Sequence, residues 1–261
     1  MYRLEHRWVP ILMYHRVTAA RPLDDPYRNC VPVASFERHL RWLARRGYQT
    51  VELDVVARYA SGDPHSRLPR KPLVITFDDG YRDNLDLALP VLERFGYRAV
   101  VFVVTSTIGS VNSFDPPGSE GPLPMLTAEE IRKLRSRGMA IGSHTHTHPQ
   151  SLAALDESTL GDELTRSRAI LEELLQEPVR SLAYPHSQVD ARVESAAAAA
   201  GYQSACAGRG TAFRSLRLSR VPAESAGGAR LEAACEWRRL MFRVRSLKRP
   251  ADLAPAVAAG T

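Results

Sequence analysis

Cysteine is scarce and scattered: positions 30, 206 and 235 hold the only three, with no CxxC pair among them. That excludes a disulfide framework and a thiolate zinc site, and leaves Cys30, Cys206 and Cys235 as expected buried thiols. Long apolar runs are missing too, none approaching the ~20 residues that a membrane span requires. The opening MYRLEHRWVPILMYH has neither a long apolar segment nor a small-residue cleavage site, because Pro10 and His15 bracket only a short apolar stretch. The expectation is a cytoplasmic chain without an export signal. Internal repeats, a clear linker and nucleic-acid-binding motifs are also lacking, and a net charge of +6 is too mild to indicate nucleic acid as a partner. What is present, 44% hydrophobic and 25% charged residues in 261, is ordinary globular composition with enough chain to bury a core.

Short apolar runs alternate with helical patterns. VPILMYH (9–15) reads as a buried strand with His15 at its C-terminal end. Ser35 can cap a helix carrying Phe36, Leu40 and Leu43 at i, i+4 and i+7, closed by Gly47 before the strand-like YQTVEL. PLVITF (72–77), a helix around 84–95 closed by Gly96, and RAVVFVV (98–104) repeat the rhythm. Thr127 and Glu130 form a capping box for TAEEIRKLRSRG, after which MAIGS leads into three closely spaced histidines. Asp156 opens a long helical segment to Glu177, and SLAYP, an alanine-rich helix over 191–200, YQSACA and LRLSRV follow. The strand runs do not alternate in polarity, which suits strands buried on both faces.

This order predicts an α/β fold with mostly parallel strands and crossover helices, an open doubly wound sheet or a barrel. A single domain over 1–249 is expected, followed by a disordered tail over 250–261. In either architecture function gathers at strand C-termini. His15 follows VPILMY, Asp78 and Asp79 follow LVITF, the histidines follow MAIGS, and Tyr184-Pro185-His186 follows SLA, so the reactive side chains share one end. The Gly-, Pro- and Ser-rich stretch between Gly109 and Pro124 is expected to border them.

Asp-Asp-Gly alone is an ordinary surface turn. At the mouth of a buried strand, however, paired carboxylates can supply one metal ligand and one base for water. Pro149 disfavours helical geometry at His148, so His144 and His148 are expected on a loop, with His146 facing away. For the histidine string alone, an exposed polar loop is as good a reading. Together, Asp79, His144 and His148 make a two-nitrogen, one-oxygen set with open positions, the catalytic pattern for zinc. Such a site would polarise a carbonyl and acidify a water while a carboxylate takes the water's proton. The backbone N–H of Tyr184 is the expected helper for the oxyanion.

LMYHRV, FERHLRWLARRGYQTV, LVITFDDGYRDNLDLALPVLERFGYRAVVFVV, MLTAEEIRKLRSRGMAIGSHTHTHP and SLAYP make the chain resemble the polysaccharide deacetylases of carbohydrate esterase family 4 over nearly its whole length. The resemblance implies a distorted (β/α) barrel and the removal of N-acetyl groups from the amino sugars of a glycan with a divalent metal, commonly zinc. It also implies Asp78 as general base, with Asp79, His144 and His148 as ligands. The family's late Leu-x-x-His motif is missing, since no histidine follows His186. In the subgroup with a Tyr-His strand near the start, the early histidine takes the acid's place, which points to His15, with Asp78 or His186 as substitutes. The third motif is altered as well. Ala183-Tyr184-Pro185-His186-Ser187 keeps Tyr184 and Pro185 but has no motif arginine, which leaves the partner that orients Asp78 unidentified.

Tyr14, Tyr81 and Tyr184 are candidate sugar-stacking rings, with buried barrel-mouth tyrosines as the alternative, and Pro185 and His186 complete the expected substrate contacts. The rival functions are a related amidase, deformylase or ester deacetylase on the same site, and a catalytically silent barrel that binds glycans. The segment EWRRLMFRVRSLKRP reads as a last helix docked on the core, or as a basic amphipathic helix that adheres to an anionic membrane surface.

Overall fold

The computed structural model describes residues 8–22, 25, 28–115, 121–223, 231, 234, 235 and 237. The readings of the basic C-terminal segment, Trp237 apart, and of the tail over 250–261 lie outside the described residues.

The chain begins with β1 (Ile11–Tyr14), β2 (Arg16–Thr18) and β3 (Cys30–Pro32). Next come α1 (Val33–Arg45), β4 (Gln49–Thr50), α2 (Leu53–Ala60) and β5 (Pro72–Phe77). A π turn over Asn84–Ala88 runs into α3 (Leu89–Arg94), followed by β6 (Val100–Val103), α4 (Ala128–Ser136) and β7 (Ala140–Ser143). α5 (Glu157–Leu175), β8 (Ser181–Ala183), α6 (Ala191–Ala199) and β9 (Ser204–Ala207) complete the alternation. The hairpin of β10 (Phe213–Arg214) and β11 (Arg217–Ser219) then leads directly to β12 (Val221–Pro222).

Strands β1, β5, β6, β7, β8 and β9 lie side by side in that order, each parallel to the next. The ring is joined by one bent stretch of chain. β11 pairs with β9 through Leu218 and Cys206, β12 pairs with β1 through Val221 and Leu12, and only Arg220 separates them. This is the distorted (β/α) barrel expected. All six residues of β5 are buried, because β1 and β6 flank it inside a ring covered by helices. Phe36, Leu40 and Leu43 of α1 are buried in the core, each stabilising the fold by about 1.5–3 kcal/mol. The three cysteines are buried and none is in a disulfide among the described residues.

The capping box forms as read: Glu130 N–H donates to Thr127 Oγ1 at 3.2 Å and Thr127 N–H to Glu130 Oε2 at 2.9 Å. Asp156 caps α5 by accepting from Thr159 N–H at 2.9 Å. Two local expectations fail. Ser35 lies inside α1, whose N-cap is Pro32, because the ring of a proline suits a helix start that needs no donor. YQTVEL forms strand only through Gln49 and Thr50, and its last residue, the buried Leu53, already opens α2.

Gly142 marks the tightest crossing between β6 and β7. A Cβ there would sit 2.6 Å from Phe102 Cε1 and 2.7 Å from Ser181 Oγ. Gly142→Ala is therefore expected to cost about 1–3 kcal/mol, read as a lower denaturant midpoint at unchanged m-value.

Candidate active site

The strand ends converge. Asp78 N–H still continues the ladder by donating to Tyr14 O at 2.9 Å, and the next two residues turn sharply, with φ of 73° at Asp79 and 84° at Gly80. Aspartate tolerates this left-handed conformation better than most residues. Glycine at 80 is required on two counts, since a Cβ would also meet Val103 Cα at 3.3 Å. Thr145, His148, His186 and Ser187 share the positive φ, so five of the seven such non-glycine residues described surround one mouth. Backbone strain concentrated in this way is a mark of functional sites.

Asp79, His144 and His148 are buried, and their donor atoms lie within 4.8 Å of one another. Asp79 Oδ1 is 3.3 Å from His144 Nε2 and 3.6 Å from His148 Nε2. Zinc bonds of about 2.0–2.1 Å in a tetrahedron separate neighbouring donors by about 3.3–3.4 Å, close to both distances from Asp79. The chemistry of the set also fits. His144 Nδ1 donates to Ala183 O at 2.8 Å, which fixes the ring with Nε2 turned toward Asp79. Burial first, and then the neighbouring His144, push the pKa of His148 down to about 3, so its imidazole is neutral as a ligand must be. Asp79 is opposed by burial but lowered overall by its hydrogen bond to His144 and the charges of the histidines.

The histidine loop is held from below by α5. Glu163 accepts from His146 N–H and Thr147 N–H at 2.9 Å each and from Thr147 Oγ1 at 2.6 Å. As expected the loop is not helical, and His146 faces Thr105 Oγ1 at 2.9 Å, away from the three-residue group.

Asp78 stands beside this group. Its carboxylate is gripped by Arg220, Nη1 to Oδ1 and Nη2 to Oδ2 at 2.6 Å each, in a pair that is almost wholly buried. Arg220 is itself fixed by Nε to Ala207 O at 3.0 Å and Nη1 to Thr76 Oγ1 at 3.1 Å. Burial raises the pKa of Asp78, but the charges of Arg220 and His144 and the hydrogen bonds outweigh it, leaving the group ionised. His15 Nε2 lies 3.9 Å from Asp78 Oδ2, with a side chain 22% exposed, so it reaches both the carboxylate and the opening.

Arg220 is the orienting partner of Asp78 that the sequence reading did not identify. Its signal was the second arginine of LRLSRVP, set directly before Val221 in a strand-like run, since a charge in such a run is buried only when paired. Glu163, in the middle of a long helix, left no comparable mark.

Several expected substrate contacts are corrected. Tyr184 N–H is already spent on Cys206 O at 3.0 Å in the β8–β9 ladder, so it has no proton for an oxyanion. The rings of Tyr14, Tyr81 and Tyr184 are at most 2% exposed and present no face to a sugar. Tyr14 packs on Phe77 and Phe36, and Tyr184 Oη donates to Leu216 O at 3.0 Å. Pro185 is buried as well, whereas His186 is exposed at the rim, its ring 4.7 Å from that of His148. The aromatic ring that does border the opening is Phe114, half-buried at 4.5 Å from His148, on the Gly- and Pro-rich loop. Asp115 beside it has a pKa raised to about 6, by burial first and then by the charge of Asp79.

A cavity of about 560 Å³ opens at the opposite end of the ring, lined by Arg98, Arg135 and Arg180 beside Glu52, Asp54 and Glu177. Arg135 pairs with Glu177, and Asp54 accepts from Ser204 Oγ, so these charges serve the fold; no histidine lines the cavity.

Comparison with known proteins agrees with the geometry. The family profile for polysaccharide deacetylases matches residues 65–205. YxkH of Bacillus subtilis is 30% identical over 195 residues, 75% of this chain and 62% of the relative. The poly-β-1,6-N-acetyl-D-glucosamine N-deacetylase of Staphylococcus epidermidis is 24% identical over 69% of this chain and 65% of its own length. The chain thus spans less than two thirds of these curated relatives. Among solved structures, the Streptococcus pyogenes deacetylase PplD, in complex with acetate, superposes with a TM-score of 0.72 at 24% identity, over 87% of this chain and 97% of that one.

Proposed function

The chain belongs to the polysaccharide deacetylase family, and from that membership and its site we propose that it removes N-acetyl groups from the amino sugars of a glycan, releasing acetate and leaving a free amine. The observation that carries this reading is an ionised carboxylate, Asp78 clamped by Arg220, directly beside the donor group Asp79, His144 and His148. A binding module needs no base next to three ligands. We take the ion as zinc, because two imidazoles and one carboxylate with room for water make the usual catalytic donor set for it.

Held by those three residues, the ion would polarise the amide carbonyl and acidify the attacking water. Asp78 takes the water's proton, and its pairing with Arg220 keeps it ionised and aimed despite burial. The tetrahedral state collapses only if the departing nitrogen is protonated. His15, at the edge of the opening and 3.9 Å from Asp78, is the group we assign to that step. His144 is held to Ala183 O and His148 lies under Phe114, so neither imidazole is free to shuttle protons. Phe114 and His186 line the rim where the sugar would enter.

The test is acetate release from β-1,6- and β-1,4-linked N-acetylglucosamine oligomers by chelator-stripped protein, before and after zinc is added back. Release should disappear on stripping and return with about one equivalent of zinc. Release indifferent to the chelator would sink the metal-dependent reading.

A further inference from the structure

We propose that Asp83 and Asn84 are positioning residues that set His15 against Asp78. The proposal rests on the assignment of His15 as the proton donor and adds what holds it in place.

Three successive residues after β1 are gripped from one short segment. Asn84 Nδ2 donates to His15 O at 2.8 Å. Asp83 Oδ2 accepts from Arg16 Nε at 3.3 Å, and Asp83 Oδ1 accepts from Val17 N–H at 3.2 Å. Asn84 Nδ2 also donates to Asp83 Oδ1 at 3.0 Å, so the two side chains act as one unit. On the other side of His15, Tyr14 O accepts from Asp78 N–H at 2.9 Å. His15 is therefore fixed between a backbone bond to the base and a side-chain bond from Asn84. Both run from the single stretch FDDGYRDN, so base and acid are measured from one piece of chain.

Local structure makes this grip, at a cost to stability. Asn84 begins the π turn, and the extra residue in that turn rotates the segment before it by about 100° relative to α3. Leu85, Leu89 and Leu92 still face the core, while Asp83 and Asn84 are turned toward residues 15–17. Asn84 Oδ1 is buried without a hydrogen-bond partner among the described residues, a loss of about 1–3 kcal/mol. A side chain chosen for stability would not carry an unused acceptor. Its donor side makes two of the clamp's four bonds, which is what a positioning role needs. Arg16 is anchored further by Nη1 to Cys30 Sγ at 3.4 Å and by lying over the Tyr81 ring, so residue 16 does not drift with its neighbour.

The experiment uses full-length zinc-loaded protein with the near-isosteric Asn84→Leu, Asp83→Asn, and His15→Ala for reference. Two probes are compared: an N-acetylglucosamine tetramer, whose amine must be protonated to leave, and 4-nitrophenyl acetate, whose phenolate need not be. In Asn84→Leu, kcat on the tetramer should fall about 10- to 100-fold at unchanged KM, as for a group displaced by about 1 Å, while turnover of the aryl ester is retained. Adding Asn84→Leu to His15→Ala should slow the tetramer no further. In 15N-histidine-labelled protein, the imidazole resonances of His15 should move in Asn84→Leu and Asp83→Asn, whatever either probe does.

Unmoved His15 resonances in both variants overturn the clamp, as does an equal loss on both probes, which marks a structural role only. If His15→Ala deacetylates the tetramer at the full rate while Asn84→Leu moves the His15 resonances, the clamp stands and the proton-donor assignment fails. Should Asp83→Asn fail to fold because Arg16 loses its carboxylate, Asn84→Leu carries the test alone.

Discussion

Asp78→Asn should lower acetate release by about 10²–10⁴-fold, the contribution usual for a general base, while zinc still binds at one equivalent. Asparagine keeps the shape and one acceptor for Arg220, at a cost in stability because the buried guanidinium loses its counter-charge, and it cannot take a proton from water. On the scale of 1.36 kcal/mol per decade, the loss corresponds to about 3–5 kcal/mol of activation free energy. The prediction separates two neighbouring carboxylates that the sequence presents as equivalent. Asp79 faces His144 and His148, whereas Asp78 faces Arg220 and His15. Asp79→Asn should therefore lose zinc affinity as well as activity. A variant at 78 that retained activity within a few-fold would place the base elsewhere. One that lost its zinc would make Asp78 a ligand.

Arg220→Met should destabilise the protein by about 3–5 kcal/mol and remove most of the activity. The physical reason is the buried pair. Two charges were taken from water and are compensated only by each other and by Ala207 O and Thr76 Oγ1. Removing the cation leaves a buried carboxylate uncompensated, and its protonation would abolish the base. The double variant Asp78→Asn, Arg220→Met should recover much of the lost stability and none of the activity, because no buried charge then lacks a partner. Chemical denaturation of the four proteins measures this coupling. Arg220→Met at wild-type stability would mean that the pair is solvated in solution and does not organise the mouth. Arg220→Lys should also fail, since a single ammonium cannot make the two parallel bonds that aim both carboxylate oxygens.

The legible parts of this protein are those governed by local rules. Runs such as PLVITF and RAVVFVV are mostly apolar and do not alternate because their strands are covered on both sides, and the order of strand and helix selects a parallel sheet. Capping at Thr127 and Asp156 was readable because it involves only residues three apart. The errors came where a short stretch satisfied more than one local rule. YQTVEL has a strand's composition, yet β4 lends β5 only two residues before α2 begins. Tyr184 has the family's motif position, but its N–H belongs to the ladder with β9 and its ring to the core.

By itself the sequence determined the fold class, the end of the barrel at which chemistry gathers, and the residue types for holding an ion. Each is a matter of periodicity or close spacing, and His144 and His148 lie four residues apart. Only the tertiary structure decided how the two aspartates divide their work. Asp78 meets Arg220 from 142 residues away, because β11 and β12 close the ring with that arginine at their joint. Asn84 meets His15 from 69 residues away through a π turn that no periodicity announces. A charge pair or a single hydrogen bond between distant segments leaves no repeating pattern along the chain. It exists once the barrel is closed and water excluded, where the cost of an unpaired buried group makes the partner necessary.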